Sequence, residues 1–225
     1  DRSEQLARAE QYIKELQSYI GQIEAKHNEA HKGSTNASVN RYDYEAANCI
    51  LGASDILLDK MLLSLPAQQI LTGTGGNAET LVNSMDAMEE MLDLFYQHKG
   101  LNNTATEAKD RIPLGHLNIR YQRMFAGAFM YASGNHIGIE WNETKGMVSG
   151  KSVQTDENGK HISGQYFGWG IAHEIGHCIN QGSYAVAEIT NNYFSLLAQA
   201  RDNNTSVRFK YENVYDKVTS GTKGV

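Results

Sequence analysis

Two histidines that flank a glutamate, His173, Glu174 and His177, constrain this chain more than any other feature of its sequence. Residues four apart lie on one face of an α-helix, so both imidazoles can reach the same metal ion. Glu174 projects to the side of the pair, where its carboxylate can deprotonate a water bound to the metal. This H-E-x-x-H pattern is typical of zinc peptidases when it lies on a helix and a third ligand is present.

The residues around the motif predict two helices joined by a short turn. An apolar-periodic run covers 171–179, and Gly182 can end the first helix. Ser183 can cap a second helix that runs to about Gln199 and carries Glu188. This hairpin would bring Glu188 back over the two histidines and form a two-helix metal site.

Glu188 is the third ligand that the sequence favours. No histidine follows His177, and the metzincin pattern needs a histidine where Ser183 stands. Glu188 is the first acidic residue after Glu174, and the next one is Asp202. Two histidines and a glutamate form a known catalytic set for Zn²⁺, with the fourth position open to water. The competing interpretation is a chance match on a solvated helix with an ordinary surface glutamate.

Composition limits the classes of partner. The chain has 225 residues, of which 40% are hydrophobic, and its net charge of −6 disfavours nucleic acid. No apolar run predicts a membrane span, and no signal peptide is recognisable. Because the chain begins with Asp1, we expect a piece of a larger or processed protein.

The two cysteines, Cys49 and Cys178, could form one disulfide, but free thiols are the simpler interpretation. Nothing in the sequence indicates an oligomeric state.

The rest of the chain predicts an α+β fold that is mainly helical, with a short antiparallel sheet. Amphipathic periodicity predicts three helices before the motif, at 4–31, 42–65 and 81–96. Strands are predicted at 114–120 and 134–141, with a strand or a buried short helix at 124–131. We expect residues 1–40 to form an N-terminal helix and loop, and residues 41–225 to form the domain that carries the site.

Two further patterns have simpler interpretations than ligand binding. His27 and His31 are four apart, but no acid occupies the H-E-x-x-H position, so a polar helix end is favoured. The glycine-rich segment 72–77 lacks the Gly-Lys-Ser/Thr end of a phosphate cradle, so a loop is favoured.

The strand predicted at 134–141 precedes the metal helix, and in zinc peptidases such a strand often forms the rim of the cleft. A substrate peptide can add to its edge through backbone hydrogen bonds. His136 and Trp141 would then lie near the cleft, although packing or solvent exposure explains both residues equally well.

The motif and its surroundings resemble the enhancin-like metallopeptidases. These are gluzincins, found in bacterial mucin-degrading proteins and in insect-virus enhancins. The specific part of the resemblance is the glutamate in its Glu-Ile-Thr-Asn-Asn context at 188–192, after the Trp-Gly pair at 169–170 and the H-E-x-x-H motif. Weaker matches lie upstream, at 63–67, 91–101 and 121–139, so that the resemblance covers roughly 45–200.

The resemblance implies a zincin-like fold and a secreted or cell-surface bacterial zinc peptidase that acts on mucin-type O-glycoproteins. Several members cut beside a glycosylated Ser or Thr. By the same resemblance, His173, His177 and Glu188 are the zinc ligands and Glu174 is the general base. Family members usually carry a β-rich region before the helical part, whereas this chain starts in a predicted helix. It is therefore expected to be the core of a larger catalytic module.

Further roles follow from the predicted mechanism, in which Glu174 activates the zinc-bound water and then protonates the leaving amine. The oxyanion needs one more donor, and the candidates are Tyr184, Tyr193, Tyr211 and Tyr215. The last two are preferred because they lie beyond the metal helices. Asn191 or Asn192 is a candidate partner that orients a ligand, and an exposed helix amide is the equally weighted alternative.

Two other functions stay open on the sequence. The domain could be an inactive adhesion module that binds mucin glycans, although only three metal ligands are evident and Glu174 is present. It could also be a zinc peptidase that is indifferent to glycans.

Overall fold

The computed structural model of the chain describes residues 1–30, 52–124, 127–150 and 168–201. The helices are α1 (Arg2–Ala30), α2 (Ala67–Thr74), α3 (Ala78–His98), α4 (Trp141–Thr144), α5 (Gly168–Ile179) and α6 (Asn192–Arg201). The strands are β1 (Ala53–Leu57), β2 (Met61–Pro66), β3 (Leu117–Tyr121), β4 (Met130–Ser133) and β5 (His136–Ile139). Two short 3₁₀ turns lie at Ala108–Asp110 and Lys145–Val148. The predicted α+β class is confirmed.

The helix expected at 42–65 is wrong where the structure describes it, because 53–66 forms the β1–β2 hairpin. In β2 the residues Met61, Leu63 and Leu65 are fully buried, and the residues between them are half-buried. This is the two-residue period of a strand, not the 3.6-residue period of a helix. The hairpin closes where the Leu58 N–H donates to the Met61 carbonyl at 2.8 Å.

The five strands form a mixed sheet in the order β1-β2-β3-β5-β4. The two outer pairs are antiparallel, whereas β2–β3 and β3–β5 are parallel, so the expectation of an antiparallel sheet is wrong for these inner pairs. Parallel strands need a long crossover, and α2 with α3 supplies the one between β2 and β3. Helix α2 also occupies the first part of the expected 72–77 loop, so that the loop consists of Gly75, Gly76 and Asn77, with positive φ of 59° and 74° at the two glycines.

One face of the sheet packs against the helices. Ile119, Ile137 and Ile139 are fully buried there, together with Phe95 of α3 and Ile175 of α5. The predicted first and third helices are confirmed as α1 and α3. The apolar stripe of α1 joins the same hydrophobic core through Ala9, Ile13, Leu16 and Ile20. The division at residue 40 stays a prediction.

Several sequence-based expectations involve residues that lie outside the described part of the chain. Cys178 forms no disulfide within them, and Cys49 lies outside them. His31 and the side chain of His27 also lie outside. Among the helices described, none combines the length and the apolar character that a bilayer span requires.

Candidate metal centre

Helix α5 presents both histidines of the motif on one side. Its opposite side is apolar, with Ile171, Ala172 and Ile175 completely buried against the core. This amphipathic pattern fixes the rotation of the helix, so the polar side must face outward. The rings of His173 and His177 lie edge to face, with their centroids 4.8 Å apart. The expected helical context of the H-E-x-x-H motif is therefore present.

Glu188 reaches both histidines. Its Oε2 lies 3.0 Å from Nε2 of His173, and its Oε1 lies 2.9 Å from Nε2 of His177. The carboxylate thus stands between the two ring nitrogens that the sequence assigns to the metal. The three side chains predicted as ligands are brought together.

Glu188 does not lie in a helix, which corrects the helix expected from Ser183 to Gln199. The backbone of Glu188 has a φ of 64°, and α6 begins only at Asn192. Thr190 explains the local structure, because its hydroxyl accepts from the Val186 N–H at 3.0 Å and from the Asn180 amide at 3.0 Å. Such side-chain bonds to nearby groups compete with helix formation. One metal helix and a tight turn therefore replace the expected pair of helices.

Asn192 holds the ring of His173 from the side away from Glu188. Its Oδ1 lies 2.6 Å from Nδ1 of His173, and its Nδ2 donates to the Glu188 carbonyl at 2.7 Å. Because an amide oxygen only accepts, this contact puts the imidazole proton on Nδ1. Nε2 then carries the lone pair, which is the form of the ring that can ligate a metal. The Asn191 amide also contacts His173, so both asparagines named from the sequence touch this ligand.

Glu174 lies beside the two histidines, half-buried. The donor atoms of His173, Glu174 and His177 all lie within 4.8 Å of one another. Burial raises the pKa of the Glu174 carboxyl; the two histidines oppose this shift, and Glu188 adds to it. A raised pKa favours the protonated form of a carboxyl, so Glu174 is suited to hold a proton.

The donor set fits a zinc ion. Two imidazole nitrogens and one carboxylate are a known catalytic set for zinc, and Glu174 remains free beside them. In a tetrahedral site with bonds of about 2.0–2.1 Å, ligand atoms lie about 3.3 Å apart. The two distances between Glu188 and the histidines, 2.9 and 3.0 Å, come within a few tenths of an ångström of this separation.

A cleft of ≈ 580 Å³ opens over these groups. Its walls are residues 130–134 on one side, and His173, Glu174, His177, Cys178 and Glu188 on the other. Residues 130–133 are strand β4, which ends the sheet order, so no further strand pairs with its outer edge within the described part of the chain. The rim is therefore formed by β4, and the predicted strand at 134–141 is the neighbouring β5.

Comparison with known proteins bears on the fold. No protein-family model and no curated protein matches the chain. Among solved structures, it is similar to the M60 catalytic domain of ZmpC from Clostridium perfringens in complex with the sialyl T antigen, at 18% identity over 90% of this chain, with a TM-score of 0.63. The ZmpB metallopeptidase of the same organism matches at 19% identity over 90% of this chain, with a TM-score of 0.64.

The chain has the fold of an M60 metallopeptidase catalytic domain. The resemblance to enhancin-like metallopeptidases is thereby confirmed at the level of the fold. The catalytic module of ZmpA from Clostridium perfringens matches as well, at 19% identity over 73% of this chain and a TM-score of 0.56. This chain spans only about a third of the length of these structures.

His136 and Trp141 lie apart from the walls of the cleft. Nε2 of His136 contacts the Tyr131 hydroxyl at 3.1 Å and the Arg120 guanidinium at 3.0 Å. The ring of Trp141 packs edge to face on Tyr121. Trp141 therefore serves packing, whereas His136 packs against Tyr131, which itself lines the cleft, so that both interpretations of His136 fit the described structure.

The tyrosines named as oxyanion donors have different positions. Tyr184 is exposed, and the exposed Tyr193 packs its ring near His98, with centroids 5.8 Å apart. Neither of them lines the cleft. Tyr211 and Tyr215 lie outside the described residues. The assignment of the donor to Tyr211 or Tyr215 stays a prediction.

Sequence reasoning missed the contribution of β4. Its segment was expected to be a strand or a short helix, without a link to the site. Met130 packs against α5 at Gly170, where an added Cβ would lie 3.0 Å from the Met130 sulfur. A glycine directly after the tryptophan of the helix start was the available signal, because a strand can approach a helix closely there.

Proposed function

We propose that this chain is the zinc-binding core of a metalloendopeptidase that hydrolyses peptide bonds in mucin-type O-glycosylated proteins. The observation that carries this proposal is the convergence of His173, His177 and Glu188, with Glu174 beside them, at the floor of a cleft. A structural zinc site would normally be closed by four protein ligands. Here the described residues offer three ligands and a free carboxylate, which favours catalysis.

The substrate class is supported by a likeness in sequence and a likeness in fold to the same family. The Glu-Ile-Thr-Asn-Asn context at 188–192 resembles enhancin-like peptidases. The ZmpC catalytic domain, which shares the fold, was solved in complex with the sialyl T antigen. We extend this to the present chain as a proposal, together with a secreted or cell-surface location in a bacterium.

Each residue of the proposed site has a distinct role in peptide-bond hydrolysis. His173, His177 and Glu188 would hold zinc, which supplies a Lewis acid that polarises the scissile carbonyl and acidifies water. Asn192 keeps the His173 proton on Nδ1, so that Nε2 faces the metal position. Glu174 takes the proton of the attacking water as the C–O bond forms, and delivers it to the nitrogen as the C–N bond breaks. The outer edge of β4, which pairs with no strand of the described residues, is suited to bind an extended peptide by backbone hydrogen bonds.

A paired digestion tests this function. One synthetic peptide is prepared with and without a single O-glycan and is incubated with the wild-type chain, with Glu174→Gln, and with wild type plus a zinc chelator. Mass spectrometry should show cleavage of the glycosylated peptide by the untreated wild type only. Equal cleavage of both peptides would support a glycan-independent peptidase. Binding of the glycopeptide without cleavage would support an adhesion module.

A further inference from the structure

The turn that carries Glu188 approaches the backbone of helix α5 most tightly at a glycine, Gly176. Gly176 and Asn191 are both fully buried, and they face each other where the turn crosses the helix. A Cβ added at Gly176 would lie 2.6 Å from the Asn191 carbonyl oxygen and 3.0 Å from its Cα. These are backbone atoms, which cannot swing aside as a flexible side chain could. The absence of a Cβ is therefore required for this approach.

Three polar contacts hold Asn191 in this position. Its Nδ2 lies 3.0 Å from Nε2 of His173 and donates to the His173 carbonyl at 3.3 Å. Its own carbonyl accepts from the Phe194 N–H at 3.2 Å, in the first turn of α6. The turn is thereby tied to the metal helix and to the helix that follows.

The Asn191 side chain keeps this position at an energetic cost. Within the described residues, its buried Oδ1 has no hydrogen-bond partner. An unsatisfied buried oxygen destabilises the folded chain, which a residue chosen for stability alone would avoid. A role in placing neighbouring groups explains why an amide stands here.

Glu188, in contrast, has little packing of its own. Its side chain is 69% exposed, and the contacts of its carboxylate in the described structure are those to the two histidines. Its place is therefore set by the backbone of the turn, three residues before Asn191. A shift of the backbone at Asn191 is therefore expected to change the position of the Glu188 carboxylate.

We propose that the contact between Gly176 and Asn191 is the joint that sets the position of Glu188 relative to His173 and His177. This inference rests on the proposed metal centre and adds two positioning residues to it. An alanine at 176 must move the turn by about 0.8 Å to bring the 2.6 Å approach out to the 3.4 Å of ordinary contact. Metal sites tolerate ligand displacements of only about 0.2 Å. The carboxylate would then no longer meet the metal at bonding distance.

The test compares Gly176→Ala with Gly182→Ala, measuring affinity for Co²⁺ and its visible absorption spectrum. Gly182 follows the same helix, and an added Cβ there meets no atom within 4 Å, so it is a matched control. We expect Gly176→Ala to weaken Co²⁺ binding by about 10- to 100-fold and to change the spectrum, as for other groups that orient ligands. Gly182→Ala should match wild type in both. Wild-type affinity and spectrum in Gly176→Ala would overturn the proposal.

A second measurement separates this proposal from the metal centre. In metal-free protein, long-range ¹H–¹⁵N spectra report the imidazole nitrogens of His173 and His177. We expect Gly176→Ala to shift the His177 signals as Glu188→Gln does, because both remove the carboxylate from Nε2. Unchanged His177 signals in folded Gly176→Ala would refute the joint. If wild type bound no metal, the proposed function would fail, while these spectra would still decide the joint.

If Gly176→Ala does not fold, the variant Asn191→Ala tests the proposal in its place. It retains Gly176 and removes the bond to the His173 carbonyl, which can persist when a metal occupies Nε2 of His173. A loss of Co²⁺ affinity of about 10-fold or more is expected. Wild-type affinity in Asn191→Ala would contradict the assignment of Asn191 as a positioning residue.

Discussion

His173 is held by more neighbours than its ligand partner His177. Asn192 contacts its Nδ1 at 2.6 Å, while Glu188 and Asn191 both approach its Nε2 at 3.0 Å. A ring fixed on both nitrogens has one tautomer and one orientation. His177 meets Glu188 at 2.9 Å. The orientation of the first histidine is therefore the feature that single substitutions should disturb most.

Asn192→Ala should weaken zinc binding by about 10- to 100-fold, because the His173 ring loses the acceptor that fixes its tautomer. Asn192→Asp keeps the acceptor for the His173 ring but loses the donor to the Glu188 carbonyl, so it should restore only part of the affinity. Competition with a chromophoric chelator measures both. Asn142→Ala, at an exposed position of α4, serves as the control and should leave the affinity unchanged. An Asn192→Ala chain with wild-type affinity would contradict the assigned role.

Glu174→Gln should lower kcat by about 10²- to 10⁴-fold, since an amide cannot take the proton of the attacking water. Zinc content and the unfolding temperature should stay close to wild type, because Glu174 is not assigned as a ligand. Single-turnover digestion of the glycopeptide, with metal analysis of the same sample, checks both expectations. Full activity in zinc-loaded Glu174→Gln would exclude Glu174 as the general base.

At the scale of the secondary-structure elements, the ammonium group of Lys60 connects the β1–β2 hairpin to α3. Lys60 donates through Nζ to Glu89 at 3.1 Å and to Asp93 at 3.0 Å, and its N–H also donates to Glu89 at 3.0 Å. The Lys60 and Glu89 side chains are about one-fifth exposed. Burial by itself lowers the pKa of Lys60, but the hydrogen bonds to Asp93 and Glu89 outweigh it and raise the pKa.

Lys60→Met should lower the free energy of unfolding by about 1–2 kcal/mol at neutral pH, a value reduced for partial solvent exposure. Because the pKa of Lys60 in the folded chain is raised above its ordinary 10.5, the contribution is fully present below pH 10.5. It is lost as the pH rises through the folded-state pKa. Urea unfolding at pH 7 and above pH 11 should therefore show a smaller difference between variant and wild type at the higher pH. A pH-independent difference would count against this account.

Some of the helices could be predicted from the sequence, whereas the β1–β2 hairpin could not. Helices α3 and α5 were predictable, because their apolar residues recur with a clear helical period and form one buried face. The β1–β2 hairpin was not, since its apolar residues between 56 and 65 are spaced closely enough to fit a helix as well. Pairing with β3, which lies about 55 residues further along the chain, decides the outcome.

The candidate site was also only partly predictable from the sequence. The four-residue spacing of the histidines predicts their common face, and Glu188 was found by elimination among acidic residues. Its positive φ was not predictable, because that conformation depends on the Thr190 hydroxyl and on the packing of Asn191 against Gly176. Such contacts join residues whose neighbourhood is known only after folding.

For the whole molecule, the N-terminal helix belongs to the same core as the sheet. The stripe of α1 buries Ile13, Leu16 and Ile20 with residues of α3. The tie continues outside the core, where the Tyr12 hydroxyl donates to Ser54 at the start of β1 at 2.9 Å. Helix α1 should therefore unfold together with the rest of the described chain.

Ile13→Ala should lower the free energy of unfolding by about 2–4 kcal/mol, because it leaves a cavity at a residue that is 3% exposed. Leu57→Ala, at a position that is 67% exposed, is the control and should change it by less than about 0.5 kcal/mol. Chemical unfolding followed by circular dichroism and by tryptophan fluorescence should give one coincident transition. A separate, earlier transition for α1 would show that it forms an independent unit.

Zinc binding by the purified chain tests the central claim most directly. Isothermal titration with Zn²⁺, checked by native mass spectrometry, should give one ion per wild-type chain. His173→Ala, His177→Ala and Glu188→Ala should each weaken binding by at least about 100-fold, since each removes one ligand of a three-ligand set. Glu174→Gln, beside the same site, should bind zinc like wild type. Zinc affinity that survives the loss of Glu188 or of either histidine would contradict the metal centre assigned to this chain.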